Sequence, residues 1–130
     1  MANSAKEVVD KMFAAFNSGD VEKLVETVSD ETKWEYHGTH IIPKGKFEKK
    51  DGVRKFFTNI FERTEMIKFD IQQYIIEGNM VVVLGEEHQR VKRSGRELKQ
   101  KWVQIYTVEN ELITKMEEFA ASEEVNTEQK

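Results

Sequence analysis

Three short stretches of the chain hold the side chains best suited to chemistry. WEYHGTHIIPKG, residues 34–45, gathers Trp34, Tyr36, His37 and His40 within seven positions, just ahead of the only proline. Glu117-Glu118 and Glu86-Glu87-His88 supply paired carboxylates and the remaining histidine. Rings that can hydrogen-bond suit a ligand pocket, which is mostly apolar with a few placed polar groups. A carboxyl group facing such a wall is poorly solvated, so its pKa rises and it can act as a general acid or base.

Which carboxylate faces inward depends on strand parity. Neighbouring strand residues point to opposite faces, so only one of Glu117 and Glu118 can enter a core. With Met116 in the core, the inward one is Glu118. A three-residue loop at 109–111 sets Glu118 opposite Trp102 and Met116 opposite Gln104; a two-residue loop breaks that parity. For the other pair, a two-residue turn at Ser94-Gly95 puts Glu87 on the face of Gln104. A three-residue turn puts Glu86 and His88 there, and the sequence leaves both open.

Metal and cofactor chemistry find little support. His37-Gly38-Thr39-His40 brings two imidazoles close, but a strand-to-loop segment holds an ion poorly without a third ligand. Cysteine is absent, which excludes thiolate metal sites, disulfides and thiol nucleophiles. No Gly-rich nucleotide or phosphate loop occurs. The expectation is no metal and no cofactor.

These residues must be positioned by helices first and strands afterwards. Ala5, Val8, Val9, Met12, Phe13 and Phe16 form one helical stripe, opened by a Ser4/Glu7 capping box and stopped at Gly19. Asp20 caps a second short helix carrying Val21, Leu24, Val25 and Val28. Trp34 and Tyr36 alternate with Lys33 and Glu35, a short strand. A third helix follows Asp51 and buries Val53, Phe56, Phe57, Ile60 and Phe61. The period then changes to two: four strands, starting at Met66, Met80, Glu97 and Glu111, are separated at Gly78-Asn79, Ser94-Gly95 and Glu109-Asn110. Residues 1–121 read as a single domain and 122–130 as a flexible tail. Helices followed by short-looped strands mean α+β, with helices covering one face of a mainly antiparallel sheet.

The strand around Trp102 implies a partner. Trp102, Gln104 and Tyr106 point one way, and Val103 and Ile105 the other. The helices cover one face, so a second copy packed on the outer sheet face, a homodimer, is the economical cover for the other.

Charge narrows the partner class. With 130 residues and a net charge of −4, the chain lacks the basic surface that nucleic acid rewards. The one basic cluster, VKRSGRELKQK, reads as a charged hairpin tip. No apolar run suits a signal peptide or a membrane span, so the expectation is a cytoplasmic protein with no nucleic-acid or membrane partner.

FNSGDVEKLVETVSDETKWEYHG resembles the opening of the nuclear transport factor 2-like superfamily, in its SnoaL-like and ketosteroid isomerase-related branch. KGKFEKKDGVRKFF, GNMVVVLGEEHQRVKRSG and WVQIYTVENELITKMEEF continue the resemblance over residues 5 to 121. It implies three N-terminal helices in the concave face of a strongly curved sheet, a cone with an apolar pocket at its open end. The superfamily hosts isomerases, cyclases, epoxide hydrolases, dehydratases and binding modules, so fold alone does not fix activity. Ketosteroid isomerases use an aspartate base and an oxyanion hole of a tyrosine and a protonated aspartate. Matched on Asn17-Ser18-Gly19-Asp20, the base falls at Tyr36, the tyrosine at Met12 and the protonated aspartate at Gln104. None is kept, which excludes a steroid isomerase of that mechanism.

Two functional readings follow. One is proton transfer on a small hydrophobic carbonyl or hydroxyl compound: isomerisation, cyclisation or dehydration. In it Glu118, His40 and Tyr36 are the catalytic candidates, with Met12, Trp34, Phe57, Trp102, Gln104, Tyr106 and Met116 binding the ligand. The other is a binding or dimeric scaffold module with the same pocket and no turnover. Tyr36 is expected to face the pocket and His40 to lie on a loop over its mouth.

Overall fold

The structure is a computed structural model and describes residues 4–38 and 44–124. Helix α1 (Ala5–Ser18) starts where Ser4 and Glu7 cap each other: the Glu7 N–H donates to Ser4 Oγ and the Ser4 N–H to Glu7 Oε1. It ends at Gly19, whose φ of 73° is the left-handed conformation that closes a helix. Asp20 caps α2 (Val21–Val25) by accepting from the Lys23 N–H.

The second helix is shorter than its apolar spacing suggests. Thr27 donates both its N–H and its hydroxyl to the Leu24 carbonyl, which ends the helix. Val28, expected on that helix, instead opens strand β1 (Val28–His37), opposite Ile113. The strand around Trp34 is thus ten residues long.

Strand β2 (Gly45–Glu48) was not legible, because Phe47 is its only large apolar residue. It pairs antiparallel with β1, setting Phe47 opposite Trp34. Helix α3 (Lys49–Arg63) starts two residues before Asp51. The remaining chain forms β3 (Thr64–Glu77), β4 (Met80–Val91), β5 (Glu97–Glu109) and β6 (Leu112–Glu124). Backbone pairing of β6 with β5 continues to Glu124, beyond residue 121.

The protein is α+β; the described residues form three helices and one six-stranded sheet in the order β2-β1-β6-β5-β4-β3. All neighbours are antiparallel except β1 and β6, which run parallel, so the sheet is mixed. The core lies between the helices and the sheet face carrying Trp34, Tyr36, Val81, Val83, Trp102, Tyr106 and Met116, all buried. Val8, Val9, Met12 and Phe13 of α1 and Val53, Phe56 and Phe57 of α3 complete it. No helix among the described residues is long and apolar enough to cross a membrane.

One glycine sets the depth of this core. A Cβ on Gly85 would overlap the six-membered ring of Trp102 and stand 2.7 Å from the Asp70 carbonyl oxygen. The indole lies flat on β4 at that point and stacks on Phe69, with centroids 5.2 Å apart. A backbone carbonyl cannot swing away as a flexible side chain can. Gly85→Ala is therefore expected to cost about 1–3 kcal/mol or more through overpacking. Urea unfolding followed by Trp fluorescence measures this; a midpoint equal to the parent's would contradict it.

Candidate functional site

Two loops decide which polar side chains meet. β5 and β6 are joined by a two-residue turn, Asn110-Glu111, with both φ values positive at 53° and 64°. That turn alone would point Glu117 inward. Val108 pairs with Ile113 but Thr107 with Lys115, so Thr114 is an extra residue, a β-bulge. The bulge restores the parity. Glu118 faces the helices as expected, but opposite Gln104 instead of Trp102, and Met116 lies opposite Tyr106 instead of Gln104.

Between β4 and β5, the Arg96 carbonyl accepts from the Val91 N–H, leaving a four-residue loop, 92–95. Its parity matches that of a two-residue turn. Glu87 therefore faces inward opposite Gln100, while Glu86 and His88 face out. His88 Nε2 lies 2.8 Å from Glu97 Oε1 on that outer face.

The inward side chains line a cavity of about 40 Å³ that is partly open to solvent. Its apolar wall includes Met12 and Phe16 from α1, Phe56 and Phe57 from α3, and Trp34 and Met116 from the sheet. Its polar lining is Tyr36, Glu87, Gln89, Gln100, Gln104, Tyr106 and Glu118. Two strand rows explain the grouping. Tyr36, Glu118 and Gln104 are successive neighbours across β1, β6 and β5; Trp34, Met116 and Tyr106 form the row beside them.

The polar groups are chained together. Tyr106 donates its hydroxyl proton to Gln104 Oε1 at 2.6 Å, and the Gln104 amide donates to Glu118. Gln100 Nε2 donates to Glu87 Oε2 at 3.1 Å. Glu118, Gln89 and Gln100 are buried; Glu87 is half-buried.

Burial pushes the Glu118 carboxyl up to about 8; the nearby Glu87 charge adds to this and the Gln104 hydrogen bond opposes it. Burial raises Glu87 to about 7. The Tyr106 hydroxyl is held well above the usual phenol range, by burial first and then by the Glu118 charge.

Of the residues the sequence nominated, Met12, Trp34, Tyr36, Phe57, Gln104, Tyr106, Met116 and Glu118 line the cavity together. Trp102 does not. It is packed between Phe13, Phe69 and Gly85, because its large ring fills the space under the wall. His40 lies outside the described residues, as do Ile41, Ile42 and Pro43.

Sequence reasoning left Glu87 undecided and missed Gln89 and Gln100. Their signal was the parity of the 92–95 loop, which the two residues Ser94-Gly95 understate. Gly38 has a role the sequence did not reveal: a Cβ there would overlap the Tyr36 ring and hydroxyl, so the bare backbone lets Tyr36 fold over it.

On the opposite sheet face, His37 Nε2 lies 3.0 Å from Glu117 Oε2 and 3.7 Å from Glu35 Oε2, and Phe119 stacks on its ring. Glu35, His37 and Glu117 are of types that can ligate a metal, and their ligand atoms lie within 4.8 Å of one another. The three side chains form a half-exposed ion-pair cluster.

Residues 9–116 match the SnoaL-like domain family. The chain belongs to that family. No curated protein sequence is significantly similar to it. Among solved structures, it resembles a nuclear transport factor 2-like protein from Burkholderia xenovorans LB400, with 22% identity, a TM-score of 0.80, and 90% of this chain and 88% of that one covered. A nuclear transport factor 2-like protein from Burkholderia thailandensis E264 is similar at 18% identity, with a TM-score of 0.78 and 92% of each chain covered. A hypothetical protein with a ketosteroid isomerase-like fold from Catenulispora acidiphila DSM 44928, in complex with trimethylamine, is similar at 13% identity. Its TM-score is 0.74, with 87% of this chain and 84% of that one covered. At these identities the likenesses establish the fold that this SnoaL-like chain shares.

The raised carboxyls give the SnoaL-like domain a definite pH dependence. Glu118 in the unfolded chain ionises near 4.5 and in the fold near 8. Between those values the native state holds the extra proton, so stability falls as pH rises. The thermal midpoint should decline from about pH 5 to about pH 8, and Glu118→Gln should remove the decline above about pH 7 and about half of the slope below it, Glu87 supplying the rest. Calorimetry across this range decides it; a parent midpoint that rises with pH would refute the assignment.

Proposed function

We propose that the cavity supports proton-transfer catalysis on a small, largely apolar carbonyl or hydroxyl compound: isomerisation, cyclisation or dehydration. The observation that carries this reading is the pair Glu118 and Glu87, two carboxyls in one aromatic-walled cavity with pKa values near 8 and 7. Groups poised this close to neutral pH exchange protons with little driving force in either direction.

In this reading Glu118 carries the proton and acts as the acid, and Glu87, ionising first, is the base. Tyr36 lies next to Glu118 across the β1–β6 seam and orients the substrate oxygen, while the Tyr106–Gln104 bond fixes the amide that contacts Glu118. Trp34, Phe56 and Phe57 exclude water from the reacting atoms. Membership of the SnoaL-like family and likeness to a protein with a ketosteroid isomerase-like fold are consistent with this chemistry and do not specify it.

The working unit in this proposal is a homodimer joined through the outer sheet face. Val82, Leu84, Val103 and Ile105 form a half-buried apolar strip there, flanked by Ile75 at 49% and Phe119 at 46% exposure. A second copy covers this strip with the same strip, as two-fold symmetry requires. Light scattering at micromolar concentration should give twice the single-chain mass; a mass equal to one chain refutes the dimer.

Catalysis is tested with small ketones such as cyclopentanone and cyclohexanone, by following exchange of their α-protons in heavy water by NMR. Exchange should exceed the buffer rate and follow a bell-shaped pH profile, rising through about 7 as Glu87 ionises and falling through about 8 as Glu118 does. Glu118→Gln should lower it by about 100-fold or more. Tyr36→Phe should keep the thermal midpoint and weaken ketone binding by roughly tenfold or less, the worth of one neutral hydrogen bond. Ketones that bind but exchange at the buffer rate would instead mark a binding module without turnover.

A further inference from the structure

The cavity's polar groups are unbalanced in a way that specifies its ligand further. The donors with known partners are committed within the wall: Tyr106 to Gln104, Gln104 to Glu118, and Gln100 to Glu87. Open acceptors remain, together with the Gln89 amide, which can both donate and accept; the buried Trp102 Nε1, a donor with no hydrogen-bond partner among the described residues, lies outside the lining. Gln100 is 4% exposed, and its Oε1 is buried with no hydrogen-bond partner among the described residues. Glu118 and Glu87 each have a second carboxyl oxygen. A buried acceptor left without a donor costs about 1–3 kcal/mol, so a ligand that donates to it is favoured.

Charge is unbalanced in the same direction. Two carboxyls line the cavity, and no lysine, arginine or histidine does among the described residues. α1 contributes Met12, Phe13 and Phe16, and α3 contributes Phe56, Phe57 and Ile60, none of them charged. From the sheet come Glu87, Glu118 and the two tyrosines Tyr36 and Tyr106. Lys6, on α1, is held by Asp10 at 2.8 Å and lies over the Tyr74 ring, outside the lining. Aromatic faces such as Trp34, Phe57 and Tyr106 complete the wall, and the negative face of a ring attracts a cation once water is removed.

We infer that the ligand of this cavity is a small cation, a protonated amine on a compact apolar frame, donating N–H groups to Glu118, Glu87 and Gln100 Oε1. The inference goes beyond the proposed function, on which it rests only for the cavity being the ligand site. Binding is coupled to a proton release. The ammonium group enters charged; the Glu118 carboxyl, protonated in the empty cavity, releases its proton to solvent; a carboxylate–ammonium pair remains. No bond to carbon changes, and charge and protons balance. With the cation in place Glu118 is ionised and serves as its counter-ion, whereas with a neutral carbonyl compound it keeps its proton and is the acid.

The test uses isosteric pairs differing in charge: tert-butylamine against tert-butanol, with the isopropyl, cyclopentyl and cyclohexyl pairs covering frame size. Calorimetric titration at pH 7 in two buffers of different ionisation enthalpy reads affinity and proton release together. At least one amine should bind on the order of tenfold or more tighter than its alcohol, with a buffer-dependent heat showing proton release. Glu118→Gln should lower the release to what Glu87 alone supplies and weaken the preference, while Gln100→Leu should weaken the amine and leave the alcohol unchanged. Equal affinities within every pair, or no binding by any amine, would overturn the inference. Failure here with bell-shaped ketone exchange intact removes the cation and leaves the proton-transfer reading; tight amine binding with no exchange does the reverse.

Discussion

A strand shows every second residue to the same face, so one residue more or less in β6 exchanges everything that faces the helices. The chain uses that sensitivity once, at Thr114. The tight Asn110-Glu111 turn would bury Glu117 and Lys115 and expose Met116 and Glu118; the bulge reverses all four. Met116 thereby joins Trp34 and Tyr106 in the core, and Glu118 arrives between Tyr36 and Gln104. Thr114 Oγ1 reaches the Thr107 carbonyl at the irregularity, at 3.4 Å. The packing of the sheet and the chemistry of the cavity rest on the same local insertion.

Once Glu118 is inward, its surroundings follow from the lining. A buried carboxylate without a cation is expensive, and the group responds by keeping its proton. The Gln104 hydrogen bond lowers that cost without cancelling it, and the second carboxyl of Glu87 works against it. Such a site opposes the folded state at neutral pH, and the aromatic contacts around it compensate. Phe16 meets Phe57, Phe61 and Phe69, and Trp34 meets Phe56, Phe57 and Tyr106, at centroid distances from 5.0 to 6.2 Å. Each such pair contributes about 0.5–1.5 kcal/mol beyond area burial.

Much of this was legible in the sequence where a pattern is long. The α1 stripe, its Ser4/Glu7 cap and its Gly19 stop stand out because fourteen residues repeat one spacing. The inward faces of β5 and β1 were readable from Trp102-Gln104-Tyr106 and Trp34-Tyr36 by simple alternation. Short or interrupted signals failed. Val28 fits a helical stripe and a strand start equally well, and the Thr27 hydrogen bonds that decide between them leave no periodic trace. β2 is too short to alternate visibly. Glu87 needed the length of a loop that its residue types do not fix, and Trp102 looked like a pocket wall because nothing local reveals that Gly85 makes room for it to lie flat. The inward direction of Glu118 followed from Met116 being core, on condition of a three-residue loop; the two-residue turn and the bulge together keep that parity with other cross-strand partners.

The parallel seam between β1 and β6 has a bearing on how the chain assembles. Glu87 and Gln100 meet across a hairpin within thirteen residues, whereas Tyr36 and Glu118 are brought together from almost opposite ends of the chain. Loop-closure entropy grows with the length enclosed, and contacts distant in sequence slow the search for the native state. The half of the cavity built on β4 and β5 therefore belongs to a locally connected meander, while the Tyr36 side depends on the most entropically demanding pairing in the sheet. A substitution that weakens this seam loosens one wall of the cavity first and leaves the meander's own hydrogen-bond ladders in place. Its earliest symptom is a change in who can enter the cavity, ahead of any loss of the fold.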